Sequence, residues 1–131
     1  MEIGPLATRA VLTITESDSL RDAATWMMER GVGSAVVMTD GQPVGIITDR
    51  DALKAVAQDA GGAALPVSTY LTRRVTTAKE SVELVDAARI MRDKGFRHLL
   101  VVDDGGSLVG VFSMRDLVVG LLQELAARPT Q

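Results

Sequence analysis

The strongest constraint on the fold is that the chain repeats itself. When the sequence is shifted by 64 residues, VLTITESDSLRDAATWMMERGVGSAVVM falls on VTTAKESVELVDAARIMRDKGFRHLLVV. One extra residue near Ser107 then raises the shift to 65, and VGIITDRDAL falls on VGVFSMRDLV. Self-similarity at a fixed period predicts two copies of one supersecondary unit. The identical pairs include Val11 and Val75, Thr13 and Thr77, Ser17 and Ser81, Leu20 and Leu84, Asp22 and Asp86, Met27 and Met91, and Gly31 and Gly95.

Each copy shows the same order of local signals, β-α-β-β-α. In the first copy, residues 11–14 read as a strand, and Ser17 or Asp18 caps a helix that Gly31 ends. Residues 35–38 and 44–47 form a hairpin about Asp40-Gly41, and a helix follows over residues 49–58. The second copy predicts a helix over 82–94, strands over 99–102 and 108–112, and a helix over 114–127.

One copy has about 50 structured residues, which is too few for a secure hydrophobic core. We therefore predict an α/β (α+β) fold in which two β-α-β-β-α repeats pack about a pseudo-twofold axis. Residues 6–60 form the first repeat and residues 71–127 the second. The small and Gly-rich residues 61–70 form a linker between them.

Composition argues against several classes of function. The chain has no cysteine, which removes disulfides, zinc thiolate sites and thiol nucleophiles. A net charge of −3 and 3% aromatic residues argue against a nucleic-acid binder. The start of the chain lacks the pattern of a signal peptide, and no apolar run is long enough to span a membrane. We expect a cytoplasmic protein without a required cofactor or metal.

A short motif ends the hairpin of each copy. Thr48 is followed three residues later by Asp51, and Ser113 by Asp116, where a buried strand enters a helix. Such a helix N-terminus attracts anions, the aspartate is suited to the hydroxyls of a ribose, and Arg50 and Arg115 are suited to phosphate. The same spacing also resembles a capping box, in which hydroxyl and carboxylate satisfy the backbone of their own helix. The two interpretations are compatible.

With its doubled β-α-β-β-α order and two G-h-h-[TS]-x-x-D motifs, the chain resembles a tandem pair of CBS domains over nearly its whole length. It looks like a stand-alone bacterial CBS-pair protein, some of which are linked to stress responses. The resemblance implies a regulatory module that is not an enzyme. It implies binding of an adenosine-containing ligand (AMP, ADP, ATP, NAD or S-adenosylmethionine) in the cleft between the repeats.

The family's binding positions fall on particular residues of this sequence. The motif aspartate holds the ribose in the family, and the motif hydroxyl contacts ribose or phosphate. A threonine before the second repeat matches Thr69, and a basic pair opening the middle strand matches Arg97-His98. The first copy has Gly33-Ser34 and Pro5 at the equivalent places, so the two sites are expected to differ. We expect the site with Thr69, Ser113 and Asp116 to be the better one. The predicted site residues are Ser34, Thr48, Arg50, Asp51, Thr69, Arg97, His98, Ser113, Arg115 and Asp116.

Other features leave alternatives open. Arg9, Arg73 and Arg74 are ordinary surface charges, unless Arg73 or Arg74 reaches a ligand phosphate. A ligand-free dimerising interaction scaffold is the main rival function, and an unrecognised enzyme or nucleic-acid binder is a weaker one. The downstream protein partner is not identifiable from the sequence.

The last helix is apolar almost all round, which requires burial on more than one side. Trp26 and Ile90 are predicted to lie off the stripe that faces each copy's own core. CBS pairs commonly dimerise through such helices, so the resemblance implies a homodimer. The residues expected in that interface are Trp26, Ile90, Leu117, Val118, Val119, Leu121, Leu122 and Leu125.

Overall fold

The computed structural model describes residues 1–58, 64–73 and 75–127, which form two three-stranded sheets and four α-helices. This confirms the predicted mixed α/β class and the element order of both copies. Two 3₁₀ turns, Gly4–Leu6 and Val67–Thr69, precede the copies. The regular elements are β1 (Thr13–Thr15), α1 (Leu20–Arg30), β2 (Ser34–Thr39), β3 (Gln42–Thr48), α2 (Asp49–Gln58), β4 (Thr77–Lys79), α3 (Leu84–Lys94), β5 (His98–Val102), β6 (Leu108–Ser113) and α4 (Met114–Ala127).

The chain divides into two compact units that do not follow the repeats exactly. The first unit is Val11–Val75, and the second is Thr76–Gln131 together with Met1–Ala10. Each unit therefore includes the segment that precedes the other unit's repeat in the sequence. We call these two stretches the leading segments. Residues 61–63 of the predicted linker lie outside the described residues. Residues 65–72 pack on the first unit, where Val67 is fully buried in the core.

Helix α1 begins one or two residues later than the sequence suggested. Ser19 is the N-cap, and its hydroxyl accepts a hydrogen bond of 3.0 Å from the Asp22 N–H. The prediction that Ser17 or Asp18 caps this helix is wrong, because the Asp18 carboxylate instead accepts from the Thr15 N–H at 2.8 Å. Gly31 ends the helix in the left-handed region (φ 65°), as predicted.

Both sheets have the same topology. The first runs β1-β2-β3 and the second β4-β5-β6, with the first pair parallel and the second antiparallel. The parallel pair needs a crossover connection, which the helix after the first strand supplies. Asp40 (φ 51°) and Gly41 (φ 76°) both have positive φ, as a two-residue turn between antiparallel strands requires.

Each unit has a core of its own. The first is built from α1 and the sheet around Val37 and Ile47, and the second from α3 and the sheet around Val101 and Phe112. Trp26 and Ile90 are half-buried and pack against the core of their own unit. The prediction that they lie off the core-facing stripe is therefore wrong. Within the described residues, no helix is both long and apolar enough to cross a membrane.

The leading segments pair with the last strand of each sheet. In the first unit, Thr72 and Ile46 exchange two backbone hydrogen bonds of 3.0 Å. In the second unit, Thr8 and Val111 do the same at 2.9 and 3.0 Å. The motif glycine of each copy makes room for this backbone. A Cβ on Gly45 would lie 2.7 Å from the Thr72 carbonyl oxygen, and one on Gly110 would lie 3.0 Å from that of Thr8.

Substituting these glycines tests the packing of the leading segments. We expect Gly45→Ala to lower the free energy of unfolding by about 1–3 kcal/mol, because the added methyl overpacks against backbone. Gly110→Ala should cost less, since its nearest neighbours are further away. Urea denaturation followed by circular dichroism gives the values.

Gly105→Ala is the matched control. Its Cβ would meet only the Asp103 carboxylate, at 3.4 Å, in an exposed loop. A Gly45→Ala protein as stable as the Gly105→Ala protein would contradict the close approach of Thr72.

Candidate functional site

The strand-to-helix junction of each unit is closed by a reciprocal set of hydrogen bonds. In the first unit, the Thr48 N–H and hydroxyl donate to Asp51 Oδ2 at 2.9 and 3.1 Å. The Asp51 N–H donates back to Thr48 Oγ1 at 3.2 Å. In the second unit, Ser113 and Asp116 repeat these contacts at 2.8, 3.0 and 3.2 Å. The motif is therefore a capping box in both copies, as one of its two interpretations predicts.

The capping contacts use only one oxygen of each motif carboxylate. Within the described ranges, the hydrogen bonds found for the carboxylates of Asp51 and Asp116 all reach Oδ2. Both side chains are half-buried. Each is thus held in one orientation by its own helix, with Oδ1 as a remaining acceptor. A fixed acceptor at a helix N-terminus suits a ligand hydroxyl, because little side-chain entropy is lost on binding.

The start of the middle strand lies directly beside each junction. Ser34 is paired in register with Thr48, and His98 with Ser113. The backbone ties the two parts together, because the Gly33 carbonyl accepts from the Asp49 N–H at 3.0 Å. The Arg97 carbonyl likewise accepts from the Met114 N–H at 2.9 Å. The two ends of one hairpin are thereby joined into one local site in each unit.

The two local sites differ in charge. In the second unit, the exposed side chains of Arg97 and Arg115 flank the junction, and His98 is half-buried beside it. The first unit offers Arg50 but has Gly33 and Ser34 at the start of its middle strand. The sequence analysis overlooked Asp49, whose carboxylate lies 3.3 Å from the Cβ position of Gly33. Met114 replaces this acid in the second copy, a difference that the aligned motifs already contained.

The structure groups Thr69 with the first unit. It is an exposed residue of the 3₁₀ turn Val67–Thr69, in the same compact unit as Thr48 and Asp51. Pro5 takes the equivalent place in the turn Gly4–Leu6 of the second unit. The expected combination of Thr69 with Ser113 and Asp116 joins residues of different units and stays a prediction.

The arginines before the first strand of each copy have carboxylate partners. Arg73 lies 2.9 Å from Glu16, and Arg9 forms the equivalent ion pair with Glu80. Both pairs are exposed, and such pairs contribute little to stability. The interpretation of Arg9 and Arg73 as surface charge fits these contacts, whereas Arg74 lies outside the described residues. Among the described residues, no cluster of acidic or histidine side chains is arranged to hold a metal ion.

The sequence matches the CBS domain family over residues 3–58 and 67–122. The chain therefore belongs to the CBS-domain family, and it carries two copies of the domain. This agrees with the duplicated fold and with the two capped junctions described above.

Relatives of this chain include other proteins with CBS domains. It is 34% identical to an uncharacterized protein of Methanopyrus kandleri, over 90% of this chain but only 61% of that protein's length. It is 31% identical to the CBS domain-containing protein YhcV of Bacillus subtilis, over 92% of this chain and 85% of that one. Among solved structures, it is similar to a CBS domain protein from Pyrobaculum aerophilum complexed with AMP (TM-score 0.81, 32% identity, 98% of this chain and 100% of that chain).

Removing a motif carboxylate in the absence of ligand tests the capping geometry. We expect Asp51→Ala and Asp116→Ala each to lower the free energy of unfolding by about 0.5–2 kcal/mol, the usual cost of a lost helix cap. The two losses should be similar, because the two boxes have nearly the same hydrogen-bond lengths. Chemical denaturation of the ligand-free proteins measures them.

Asp104→Ala is the control for removing an acid from this protein. Asp104 is 99% exposed and lies 3.9 Å from Lys79 in a loose ion pair. Its substitution should change stability by less than about 0.5 kcal/mol. If both motif variants were as stable as Asp104→Ala, the capping role would be refuted.

Proposed function

We propose that this protein is a regulatory module that binds an adenosine-containing ligand and does not transform it. The observation that carries the proposal is the pair of strand-to-helix junctions in which a capped carboxylate lies beside the start of the middle strand. Supporting it, two similar proteins have structures complexed with AMP: the Pyrobaculum protein, and CBSX2 at 27% identity (TM-score 0.77). CBS domains are typically regulatory, and the chain carries two of them.

We assign a specific role to each part of the site. Asp51 and Asp116 accept hydrogen bonds from ribose hydroxyls through Oδ1, while Thr48 and Ser113 keep the carboxylates in place. Thr69 contacts sugar or base. Arg50, Arg97, His98 and Arg115 face the phosphate, and Ser34 adds a neutral donor. A ligand placed in this way changes the protein only through its differential affinity for two conformations.

The charge difference between the units favours different ligands. Phosphate binds best where guanidinium groups converge, and the second unit supplies Arg97 and Arg115. In the first unit, Asp49 adds a negative charge next to Gly33, which opposes an anion there. The binding residues of the second unit therefore favour AMP, ADP or ATP. Those of the first unit favour an uncharged or cationic adenosine derivative.

Isothermal titration calorimetry with AMP, ATP, NAD and S-adenosylmethionine tests the proposal. We expect at least one ligand to bind, and Asp116→Ala to weaken AMP binding several-fold. The reason is that each lost ribose hydrogen bond is worth about 0.5–1.5 kcal/mol. Adenosine serves as the phosphate-free comparison, and recovery of intact nucleotide after incubation checks that no reaction occurs.

Asp104→Ala should bind AMP as the wild type does, because that side chain lies in an exposed hairpin loop. Equal AMP affinity of wild type and Asp116→Ala would count against the assigned residues. Absence of binding by all four ligands would favour the scaffold function instead.

We further propose that the protein is a homodimer. Helix α4 leaves Val118, Val119, Leu121, Leu122 and Leu125 exposed, by 41–61% of their surface. In the first unit, Leu53 and Val56 of α2 are each 70% exposed. A contiguous apolar helix face of this kind marks an interaction surface. Since Trp26 and Ile90 are half-buried within their own units, we expect them to contribute less than α4.

Analytical ultracentrifugation of wild type and Leu122→Glu tests the dimer. We expect the wild type to sediment as a dimer and the variant as a monomer, because a carboxylate would be buried without a partner. Gln123→Glu adds the same charge at the neighbouring exposed position and should remain dimeric. A monomeric wild type would refute the homodimer.

A further inference from the structure

A cavity of about 400 Å³ lies at the outer edge of the first unit's sheet. Its apolar wall is formed by Leu12, Ile14, Trp26 and Met38. None of the predicted nucleotide-binding residues lines it. The volume is in the range of pockets that hold small ligands or single large side chains. This cavity is therefore separate from the junction of Thr48 and Asp51.

Within residues 1–58, 64–73 and 75–127, the strand beside the cavity has one main-chain N–H and one C=O, those of Thr13, without a hydrogen-bond partner. β1 is an edge strand, and the Leu12 carbonyl accepts from the Val36 N–H at 2.9 Å. Since the polar groups of a strand alternate in direction, those of Leu12 and Ile14 point toward β2, and those of Thr13 point to the open edge. Thr13 is exposed.

The next outward-facing residue, Thr15, already has partners. Its N–H donates to the Asp18 carboxylate at 2.8 Å, and its carbonyl accepts from the Asp18 N–H at 3.2 Å. The turn at Asp18 thus closes one end of the edge. The main chain of Thr13 thus offers one donor and one acceptor beside a cavity with one apolar wall. This is the combination used when an extended peptide adds a strand to a sheet.

The charges at the rim indicate the kind of peptide. Asp18 and Glu29 contribute two carboxylates, and Arg30 contributes one guanidinium. The rim therefore favours a peptide with a basic residue. A second copy of β1 is a poor occupant, because symmetrical pairing would bring the same acidic rims together.

We propose that this edge is a docking site for an extended segment of a partner protein. The segment pairs its main chain with Thr13 and inserts an apolar side chain between Trp26 and Met38. A lysine or arginine of the segment lies near Glu29. The site is distinct from the nucleotide site and would give the module a surface for its protein partner.

Trp26 is the only tryptophan of the chain, so its fluorescence reports on this cavity directly. The probe is a blocked hexapeptide of sequence KVLVTK, titrated into the full chain. We expect a saturable blue shift of the emission. Two analogues of the peptide carry N-methyl groups on complementary sets of alternate amides. They distinguish main-chain pairing from apolar contact, because only one of the two sets faces Thr13. One analogue should bind at least fivefold more weakly than the other.

The matched variants are Thr13→Pro and Thr77→Pro. The N–H of Thr13 takes no part in the β1–β2 ladder, and proline is tolerated on edge strands. Thr77 holds the equivalent position in β4 and does not line the cavity. We expect Thr13→Pro to weaken peptide binding at least fivefold and Thr77→Pro to leave it unchanged.

Three results would overturn the proposal: no saturable change with the peptide, equal affinity of the two N-methylated analogues, or equal binding by the two proline variants. Binding of N-acetyl-leucinamide as tight as that of the hexapeptide would also overturn it, since the cavity would then hold a small apolar molecule. AMP titrations of the same proteins keep this test independent of the proposed nucleotide site.

Discussion

The contact on which both units depend is the pairing of each leading segment with the last strand of a sheet. Thr72 bonds to Ile46, and Thr8 to Val111, each through two backbone hydrogen bonds. This contact requires the glycine of each motif, because any side chain there would meet a carbonyl oxygen of the leading segment. The motif glycines, which resemble part of a ligand-binding motif, are therefore required by backbone packing.

The motif hydroxyl and carboxylate also have a structural role. Thr48 with Asp51, and Ser113 with Asp116, satisfy the first turn of α2 and α4. The cap uses Oδ2 of the carboxylate and leaves Oδ1 as an acceptor, so capping does not exclude the proposed binding of a ligand hydroxyl. A cap of this kind fixes the side chain before a ligand arrives, which lowers the entropy cost of binding. The structural interpretation of the motif is therefore compatible with the proposed functional one.

Duplication gave the protein two similar frameworks that have since diverged in charge. The core residues on the helices are equivalent, as Met27 and Met91 illustrate, and the capping distances agree within 0.1 Å. The side chains around the junction differ, with Gly33 and Asp49 in one unit against Arg97 and Met114 in the other. Packing constrains the first set strongly, because a core tolerates little change in volume. Residues around the junction that are exposed, such as Gly33, Asp49 and Arg97, have no such constraint and are free to differ between the units.

The sequence by itself determined the duplication, the order of the elements and the capping motif. Each depends on residues close together in the chain, such as Asp40-Gly41 for the turn and Gly31 for the end of α1. The sequence did not determine which repeat each leading segment packs against, because local patterns carry no information on pairing between distant segments. For the same reason it could not group Thr69 with Thr48 and Asp51, or Pro5 with Ser113 and Asp116. The tertiary structure decided these points through backbone bonds such as that between Thr72 and Ile46. It also formed the cavity at Trp26, which requires a strand edge and a helix side to meet.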